Sequence, residues 1–172
     1  MTLKIEVVVA DITWRVVDAI VNAANEQLLA GGGVCGAIHR AAGMQALETE
    51  ARSRYPEGCP TGQAVETSAH NLNAKYVIHA VGPVWHGGEH GEAELLASAY
   101  KNSLLLADQL GCVSIAFPNI STGIYGYPME EASYVAARAI AEVVDRLAHI
   151  RSIEICCFDT SAKNIYSQAF SN

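Results

Sequence analysis

Short apolar runs bounded by turn residues predict strands along the whole chain. These runs are rich in β-branched residues, and residues 19–23 are almost wholly apolar, which is typical of a strand covered on both faces. The predicted strands are residues 3–9, 19–23, 63–68, 75–81, 114–117 and 152–158.

Segments with apolar residues three and four positions apart predict helices between these strands. Pro128 suits the first position of one such helix, and Glu130 and Glu131 would lie favourably in its first turn. The predicted helices are residues 34–42, 44–54, 92–110, 128–148 and 161–170. Because strands alternate with helices for most of the chain, we expect an α/β layered domain.

Composition and charge limit the range of functions that the chain can have. The chain has 172 residues, which suits one domain over 1–172, and its 51% hydrophobic and 17% charged residues indicate a folded chain. A formal charge of −7 argues against non-specific binding to a nucleic acid duplex, which depends on Lys and Arg neutralising phosphates. A small phosphorylated ligand is still allowed, because backbone amides can hold a phosphate without a cation.

The cysteines and the chain start indicate a reducing compartment. Five cysteines occur, an odd number, with no CxxC or zinc-finger spacing. The first residues are no signal peptide, and no apolar run reaches the roughly 20 residues that span a bilayer. We expect a cytoplasmic protein with free thiols, no membrane association and, since neither a heptad nor a long exposed apolar strand is evident, a monomer.

Two glycine-containing loops predict a phosphate site. Residues 31–33 are three glycines before a predicted helix, which lets the backbone approach an anion closely; a plain flexible turn is the alternative. Residues 121–126 follow a buried strand, so they lie at the carboxyl edge of an open sheet, where α/β folds bind ligands. The second loop is neither a Walker A loop nor GxGxxG. We therefore predict a diphosphate-containing nucleotide, bound for itself, between the two loops.

Polar residues after the first two strands are further candidates. Asp11 either caps the next helix or accepts a hydrogen bond from an exocyclic amine. Asn22 and Asn25 either hold ribose hydroxyls or form a turn, since an amide both donates and accepts.

Taken together, the motifs of the chain resemble a macrodomain, most closely the bacterial MacroD-type O-acetyl-ADP-ribose deacetylases. The resemblance covers essentially the whole chain, in order and with matching spacings. It rests on DIT at 11–13, VDAIVNAAN at 17–25, GGGVCGAIHRAAG at 31–43, CPTGQA at 59–64, VIHAVGPVW at 77–85 and SIAFPNISTG at 114–123. It implies a three-layer α/β/α sandwich with a central mixed sheet, and ADP-ribose as the ligand.

The resemblance also implies how the ligand is held. Asp11 and the backbone amide of Ile12 would bind adenine, and Phe158 would stack on it. Asn25 would hold the distal ribose, and Tyr125 would lie against that ribose and orient the scissile bond. The diphosphate would be bound by Gly32, Gly33, Val34, Ser121, Thr122, Gly123, Ile124 and Tyr125.

The implied reaction is hydrolysis at the distal ribose. The substrates would be O-acetyl-ADP-ribose and mono-ADP-ribosylated proteins esterified at acidic side chains. A water held between Asn25 and the substrate's own phosphate would be the nucleophile, with no metal or redox cofactor. A non-catalytic ADP-ribose reader and an ADP-ribose 1″-phosphate phosphatase are the alternatives.

Cys35 is a departure from the family pattern, because competent members of the subgroup usually have Asp directly after Gly-Gly-Gly-Val. Three roles stay open: a neutral packing residue, a weak polar assistant to Asn25, or a nucleophile that forms a covalent intermediate. A thiol near a helix N-terminus can have a lowered pKa, which a nearby diphosphate would oppose. The candidate catalytic residues are therefore Asn25, Cys35 and Tyr125.

The histidines are assigned to other roles. Cys35 and His39 have a spacing that could hold a metal, but no third ligand is apparent, so we expect His39 to pack under the loop. His79, in an apolar strand, is expected to be a hydrogen-bonded core residue. His86 and His90, in a glycine-rich loop, are expected to be solvated.

Overall fold

The computed structural model describes residues 2–172. Strands and helices alternate over most of this range, as the apolar spacing predicts. The strands are β1 (Lys4–Val9), β2 (Ala19–Ala23), β3 (Ala64–Ser68), β4 (Tyr76–Ala80), β5 (Ser114–Phe117) and β6 (Ser152–Cys157). The helices are α1 (Gly33–Ala42), α2 (Met44–Arg54), α3 (Glu92–Gln109), α4 (Met129–Val143) and α5 (Thr160–Phe170), with short 3-10 helices at Ile12–Trp14 and Val144–Arg146. None of the helices in residues 2–172 is long and apolar enough to cross a membrane.

The strands form one mixed sheet in the order β1-β6-β5-β2-β4-β3. Every neighbouring pair is parallel except β3 and β4, which are antiparallel. The carboxyl ends of β1, β6, β5, β2 and β4 therefore meet at one edge of the sheet. The loops that follow these strands contain nearly all of the residues predicted to bind a ligand.

Both faces of the sheet are covered, because residues on a strand alternate between its two sides. Val21 points into a core shared with α3, α4 and α5, which contains the fully buried Tyr100 and Tyr166. Its neighbour Ile20 points into a second core, with Ile38 of α1. The prediction of a three-layer α/β/α sandwich around a mixed sheet is confirmed.

Element ends differ from the predictions by one residue in most cases and by more in α4. The helix predicted at 128–148 begins after Pro128 and ends at Val143. The predicted end is wrong: the chain continues after Val143 as the 3-10 helix Val144–Arg146. The carboxylate oxygens of Asp108 then accept hydrogen bonds from the amides of Ala148, His149 and Ile150 at 2.7–3.0 Å. These amides are thereby directed away from a helical path.

Candidate functional site

A cleft of about 270 Å³ opens at the carboxyl edge of the sheet. It lies between the glycine loop that begins α1 and the loop that follows β5. Nine of the residues predicted for the site line it. They are Asn25, Gly32, Gly33, Val34, Cys35, Ser121, Gly123, Ile124 and Tyr125. Both predicted loops therefore face the same space.

Ser121 occupies a constrained position in the second loop. Its φ angle is 69°, in the left-handed region, and its carbonyl oxygen accepts a hydrogen bond from the amide of Tyr127 at 2.9 Å. The hydroxyl is buried and has no hydrogen-bond partner among residues 2–172. A buried polar group without a partner costs about 1–3 kcal/mol. Ser121 belongs to the lining of the cleft, so a ligand bound there would lie beside a residue with an unused hydrogen-bonding group.

Gly82 allows the Ser121 side chain to lie where it does. A β-carbon at Gly82 would be 2.3 Å from the Ser121 hydroxyl oxygen and 2.5 Å from Cγ2 of Ile120. Only glycine fits there. Gly82 and Pro83, which begin the loop after β4, are buried because the β5 loop packs against them.

Thr122 does not line the cleft. Its hydroxyl donates a hydrogen bond to the carbonyl oxygen of Asn119 at 2.9 Å, which holds the loop in a tight turn. Asn119 itself lines the cleft, although the sequence analysis did not select it. Thr122 thus shapes the loop, while Asn119 and Ser121 face the enclosed space.

The first glycine loop leads into the N-terminus of α1. Gly32 is the capping residue, and Gly33 has a positive φ of 58°. No side chain caps the helix and no acidic residue lies in its first turn. The first amides of α1 and the positive end of its dipole therefore face the cleft, which suits an anionic ligand.

Asn25 lies at the end of the cleft beyond β2, where its side chain holds the backbone of Leu29. Its Nδ2 donates to the Leu29 carbonyl oxygen at 2.9 Å, and its Oδ1 accepts from the Leu29 amide at 3.1 Å. The same loop is fixed by Glu48, whose carboxylate accepts a hydrogen bond from the amide of Ala30 at 2.7 Å. An amide has a second N–H and a second lone pair, so Asn25 can still bind a ligand while it holds the loop.

Tyr125 links the cleft to the loop after β4. Its carbonyl oxygen accepts a hydrogen bond from the amide of Trp85 at 2.8 Å, and the Trp85 ring lies 4.6 Å from that of Tyr127. Burial raises the pKa of Tyr125, so the phenol is protonated and can donate a hydrogen bond at neutral pH. Its backbone is thus held in place while its side chain lines the cleft.

Cys35 and His39 form a buried pair beside the cleft, one helical turn apart on α1. The Cys35 sulfur lies 3.7 Å from His39 Nδ1 and 3.7 Å from the Leu29 carbonyl oxygen. Burial raises the pKa of the Cys35 thiol, but hydrogen bonding by His39 and by the Gly31 backbone outweighs this and lowers it below its ordinary value. Cys35 thus differs from an ordinary buried thiol.

Asn22 is not part of the cleft wall. It is fully buried on the α1 side of β2, where its Nδ2 lies 3.2 Å from His79 Nδ1. Strand alternation turns its side chain under α1, so a contact between Asn22 and a ribose stays a prediction that the shape of the cleft does not support. The expectation that His79 is a hydrogen-bonded core residue is confirmed, since Thr67 Oγ1 lies 3.0 Å from its Nε2. Burial lowers the pKa of His79 to about 3, so the ring is neutral.

Asp11, Ile12 and Phe158 lie outside the enclosed cleft, at the neighbouring ends of β1 and β6. The two strand ends are joined by a hydrogen bond from the Ala10 amide to the Cys157 carbonyl oxygen at 3.2 Å. The Asp11 carboxylate caps the 3-10 helix, accepting from the Thr13 amide at 2.9 Å. The Phe158 ring is 94% exposed, so it is free to stack on a planar ligand.

No group of three His, Cys, Asp or Glu side chains that could hold a metal ion occurs in the part of the chain that the structure describes. His86 and His90 are both exposed, as expected. His39 is fully buried in α1, beneath the glycine loop.

Comparisons with known proteins agree with this geometry. The model of the Macro domain family matches residues 21–136. The chain is 54% identical over 165 residues to a macro domain-containing protein of Chlorobaculum tepidum, covering 96% of this chain and 94% of the relative. It is 52% identical over 169 residues to an O-acetyl-ADP-ribose deacetylase of Salmonella typhimurium, covering 98% and 94%.

Two solved structures are similar throughout. A mutant macrodomain of Oceanobacillus iheyensis with ADPR superposes with a TM-score of 0.90 at 39% identity, covering 97% of this chain and 91% of that one. A Trypanosoma brucei macrodomain in complex with ADP-ribose superposes with a TM-score of 0.86 at 35% identity, covering 95% and 68%.

Proposed function

Because this chain belongs to the macro domain family, we propose that its cleft binds ADP-ribose and that the protein hydrolyses esters of ADP-ribose at the distal ribose. The substrates would be O-acetyl-ADP-ribose and mono-ADP-ribose esterified to acidic side chains of proteins. The observation that carries this proposal is a cleft lined on one side by the loop of Ser121 and on the other by the first turn of α1, whose N-terminus has no side-chain cap. Within residues 2–172 the buried Ser121 hydroxyl in this loop has no hydrogen-bond partner.

The strand order supports one orientation of the ligand. Along the sheet edge, β1 and β6 come first, β5 next and β2 after it. Adenine would therefore lie beside Asp11 and Phe158, and the diphosphate would lie between Ser121 and the first turn of α1. The distal ribose would then reach Asn25 and Cys35 beyond β2.

The chemistry needs little from the protein beyond positioning. A water bound by Asn25 and the substrate's own phosphate would add to the acyl carbon of the ester. The water would give a proton to the phosphate as it adds, and this proton would pass on to the ribose oxygen as the ester C–O bond breaks, so that the ribose leaves with a free hydroxyl. Holding water and ester in a reactive geometry provides much of the rate in such reactions, and Tyr125 would restrict the ribose. We infer that no metal or redox cofactor takes part.

A non-catalytic ADP-ribose reader is the second candidate. The observation that supports it is the thiol of Cys35, at a position where a carboxylate would help to orient a water. A protonated thiol is neutral and accepts hydrogen bonds only weakly. A turnover assay with O-acetyl-ADP-ribose, run beside calorimetry with ADP-ribose, separates the two. Turnover with binding supports the hydrolase, and binding without turnover supports the reader. Absence of binding would overturn both.

The same assay decides whether Cys35 contributes to hydrolysis. Cys35→Ala and Cys35→Asp are compared with the wild type at equal concentration. Full activity in Cys35→Ala removes any catalytic role for the thiol. A gain in Cys35→Asp means that the missing carboxylate limits the wild-type rate.

We also infer that the protein works as a monomer in the cytoplasm. Mono-ADP-ribosylated proteins would be among its substrates there. All five cysteines are free and buried, which suits a reducing compartment. Sedimentation of the purified protein at several concentrations tests the monomer.

A further inference from the structure

Cys35 is the cysteine that lines the cleft. The other four pack in the cores or beneath loops away from it, and burial raises the pKa of each. Burial raises the pKa to about 11 for Cys59 and for Cys112 and to about 12 for Cys156, and it raises the pKa of Cys157 above its ordinary value. Among residues 2–172, Cys35 is therefore the one cysteine that lines the cleft, and the one whose pKa is lowered rather than raised.

His39 is arranged to stabilise that thiolate. Its Nδ1 lies 2.9 Å from the carbonyl oxygen of Cys35, which can only accept, so Nδ1 carries a hydrogen. The same N–H lies 3.7 Å from the Cys35 sulfur and can be shared with it. His39 is fully buried, and its Nε2 has no hydrogen-bond partner within residues 2–172. The ring is thus held by α1 itself and directed at the thiol.

The start of α1 favours a negative sulfur in a second way. Cys35 lies in the first turn of the helix, where unpaired amides and the helix dipole lower the free energy of an anion. Cys35 is only 6% exposed, but it belongs to the lining of the cleft together with the Ser121 loop. A small reagent that enters the cleft would therefore arrive beside a thiol whose pKa is lowered.

We propose that Cys35, paired with His39, is a modification site for hydroperoxides, and that its oxidation to a sulfenic acid closes the cleft to ADP-ribose. The reactivity of Cys35 stands on its own, whereas the effect on ADP-ribose rests on the proposed function.

The chemistry is a two-electron oxidation. The thiol first loses its proton to solvent, and the sulfur attacks one oxygen of hydrogen peroxide. An S–O bond forms as the O–O bond breaks, so the sulfur is oxidised and the peroxide is reduced to hydroxide. The hydroxide takes up a proton to give water. A thiol reductant added later returns the sulfenic acid to the thiol.

Protein groups surround the sulfur on its inner sides. The Leu29 carbonyl oxygen lies 3.7 Å from it, His39 and the Asn22 side chain hydrogen-bond with it, and a β-carbon at Gly31 would stand 3.9 Å from it. Because Cys35 belongs to the cleft lining, we expect the added oxygen to point into the cleft, at the end where the distal ribose would lie. It would occupy ligand space and lower the affinity for ADP-ribose.

The test treats the full-length protein with hydrogen peroxide in the presence of dimedone, which traps sulfenic acids, and maps the adduct by mass spectrometry. We expect Cys35 to be labelled at least about tenfold faster than Cys156, since reactivity follows thiolate character and access. Saturating ADP-ribose should slow this labelling by about tenfold, and peroxide should weaken ADP-ribose binding until a thiol reductant is added. Turnover and binding of the untreated protein are measured separately.

Matched variants make the assignment specific. Cys35→Ser should lose the adduct, and its affinity for ADP-ribose should be the same before and after peroxide, whatever its untreated value. Peroxide should weaken binding by Cys156→Ser as it does in the wild type. His39→Asn retains a side-chain N–H near the Cys35 carbonyl but lacks the ring, and should be labelled more slowly. If His39→Asn melts at a much lower temperature than the wild type, the comparison of Cys35→Ser with Cys156→Ser still decides whether Cys35 is the oxidised residue. Equal labelling of Cys35 and Cys156, or labelling that ADP-ribose does not slow while it binds, would overturn the proposal.

Discussion

The side chain of Ile124 lies over Gly32, so that a β-carbon at Gly32 would be 2.8 Å from Ile124 Cδ1. Ile124 is 80% exposed and belongs to the loop after β5, whereas Gly32 begins α1. The two loops thus meet above the cleft through a single flexible side chain. A diphosphate held between them would be covered by this contact.

Replacing Ile124 by Ala should weaken ADP-ribose binding by about tenfold, because an apolar side chain that covers the ligand contributes roughly 1–2 kcal/mol. Calorimetry measures this change. The free energy of unfolding should stay within about 0.5 kcal/mol of wild type, since the side chain is exposed in the free protein. Val113→Ala is the matched control, with an exposed apolar residue at the opposite edge of the sheet, and should leave both quantities unchanged.

Ser121→Ala should lower ADP-ribose affinity by about tenfold with little effect on stability, because its hydroxyl has no partner in the free protein to lose. Ser121→Gly should bind ADP-ribose as weakly as Ser121→Ala does. Its melting temperature should be no lower than that of Ser121→Ala, since glycine accepts the positive φ without strain. Ser133→Ala provides the contrast. Its buried hydroxyl donates to the Glu130 carbonyl oxygen at 2.6 Å, so its loss should destabilise by about 1 kcal/mol without affecting binding.

Asn25→Ala should reduce turnover of O-acetyl-ADP-ribose by about a hundredfold, because both the bound water and the Leu29 loop would lose their support. Steady-state kinetics at saturating substrate measure this loss. Asn102→Ala is the control: its Nδ2 holds the Gly62 carbonyl oxygen at 2.8 Å away from the cleft. Both variants should lose about 1 kcal/mol of stability, and equal losses of turnover would refute the role of Asn25.

Glu92→Gln should destabilise the protein at neutral pH and destabilise it clearly less near pH 3. The Glu92 carboxylate accepts hydrogen bonds from the amides of His86, Gly88 and His90, which lower its pKa to about 2 from an ordinary 4.5. A folded-state pKa below the unfolded value stabilises the fold fully above pH 4.5 and progressively less as the pH falls towards 2. Urea unfolding of both proteins at pH 7 and near pH 3 tests this. If the difference in unfolding free energy between wild type and Glu92→Gln stays constant with pH, the carboxylate charge is not the cause of the destabilisation.

Local patterns were enough to predict the elements of the fold. Every predicted strand and helix is present, because apolar spacing reflects directly which side of an element is buried. The path of the chain after α4 was not predictable from spacing, since it depends on Asp108, some 40 residues earlier. Side-chain bonds across such distances leave no local pattern.

The candidate site was predictable where it depends on backbone and missed where it depends on packing between strands. The two glycine loops were selected from their residue types and both face the cleft. The amide side chain of Asn22 could bind a ribose. However, Asn22 lies opposite His79 in the parallel register of β2 and β4, and its Nδ2 hydrogen-bonds with His79 Nδ1. Gly82 and Asn119 became site residues only through contacts between loops that are far apart in sequence.

The last of the six strands in sequence is inserted inside the sheet rather than added at its edge. β6 lies between β1, the first of these strands in sequence, and β5. A growing chain therefore cannot join the Asp11 end of the binding edge to the β5 loop until residues 152–157 have emerged. Ligand-binding competence arises late in synthesis and all at once, and a chain truncated before β6 would lack a complete binding edge rather than have a weakened one.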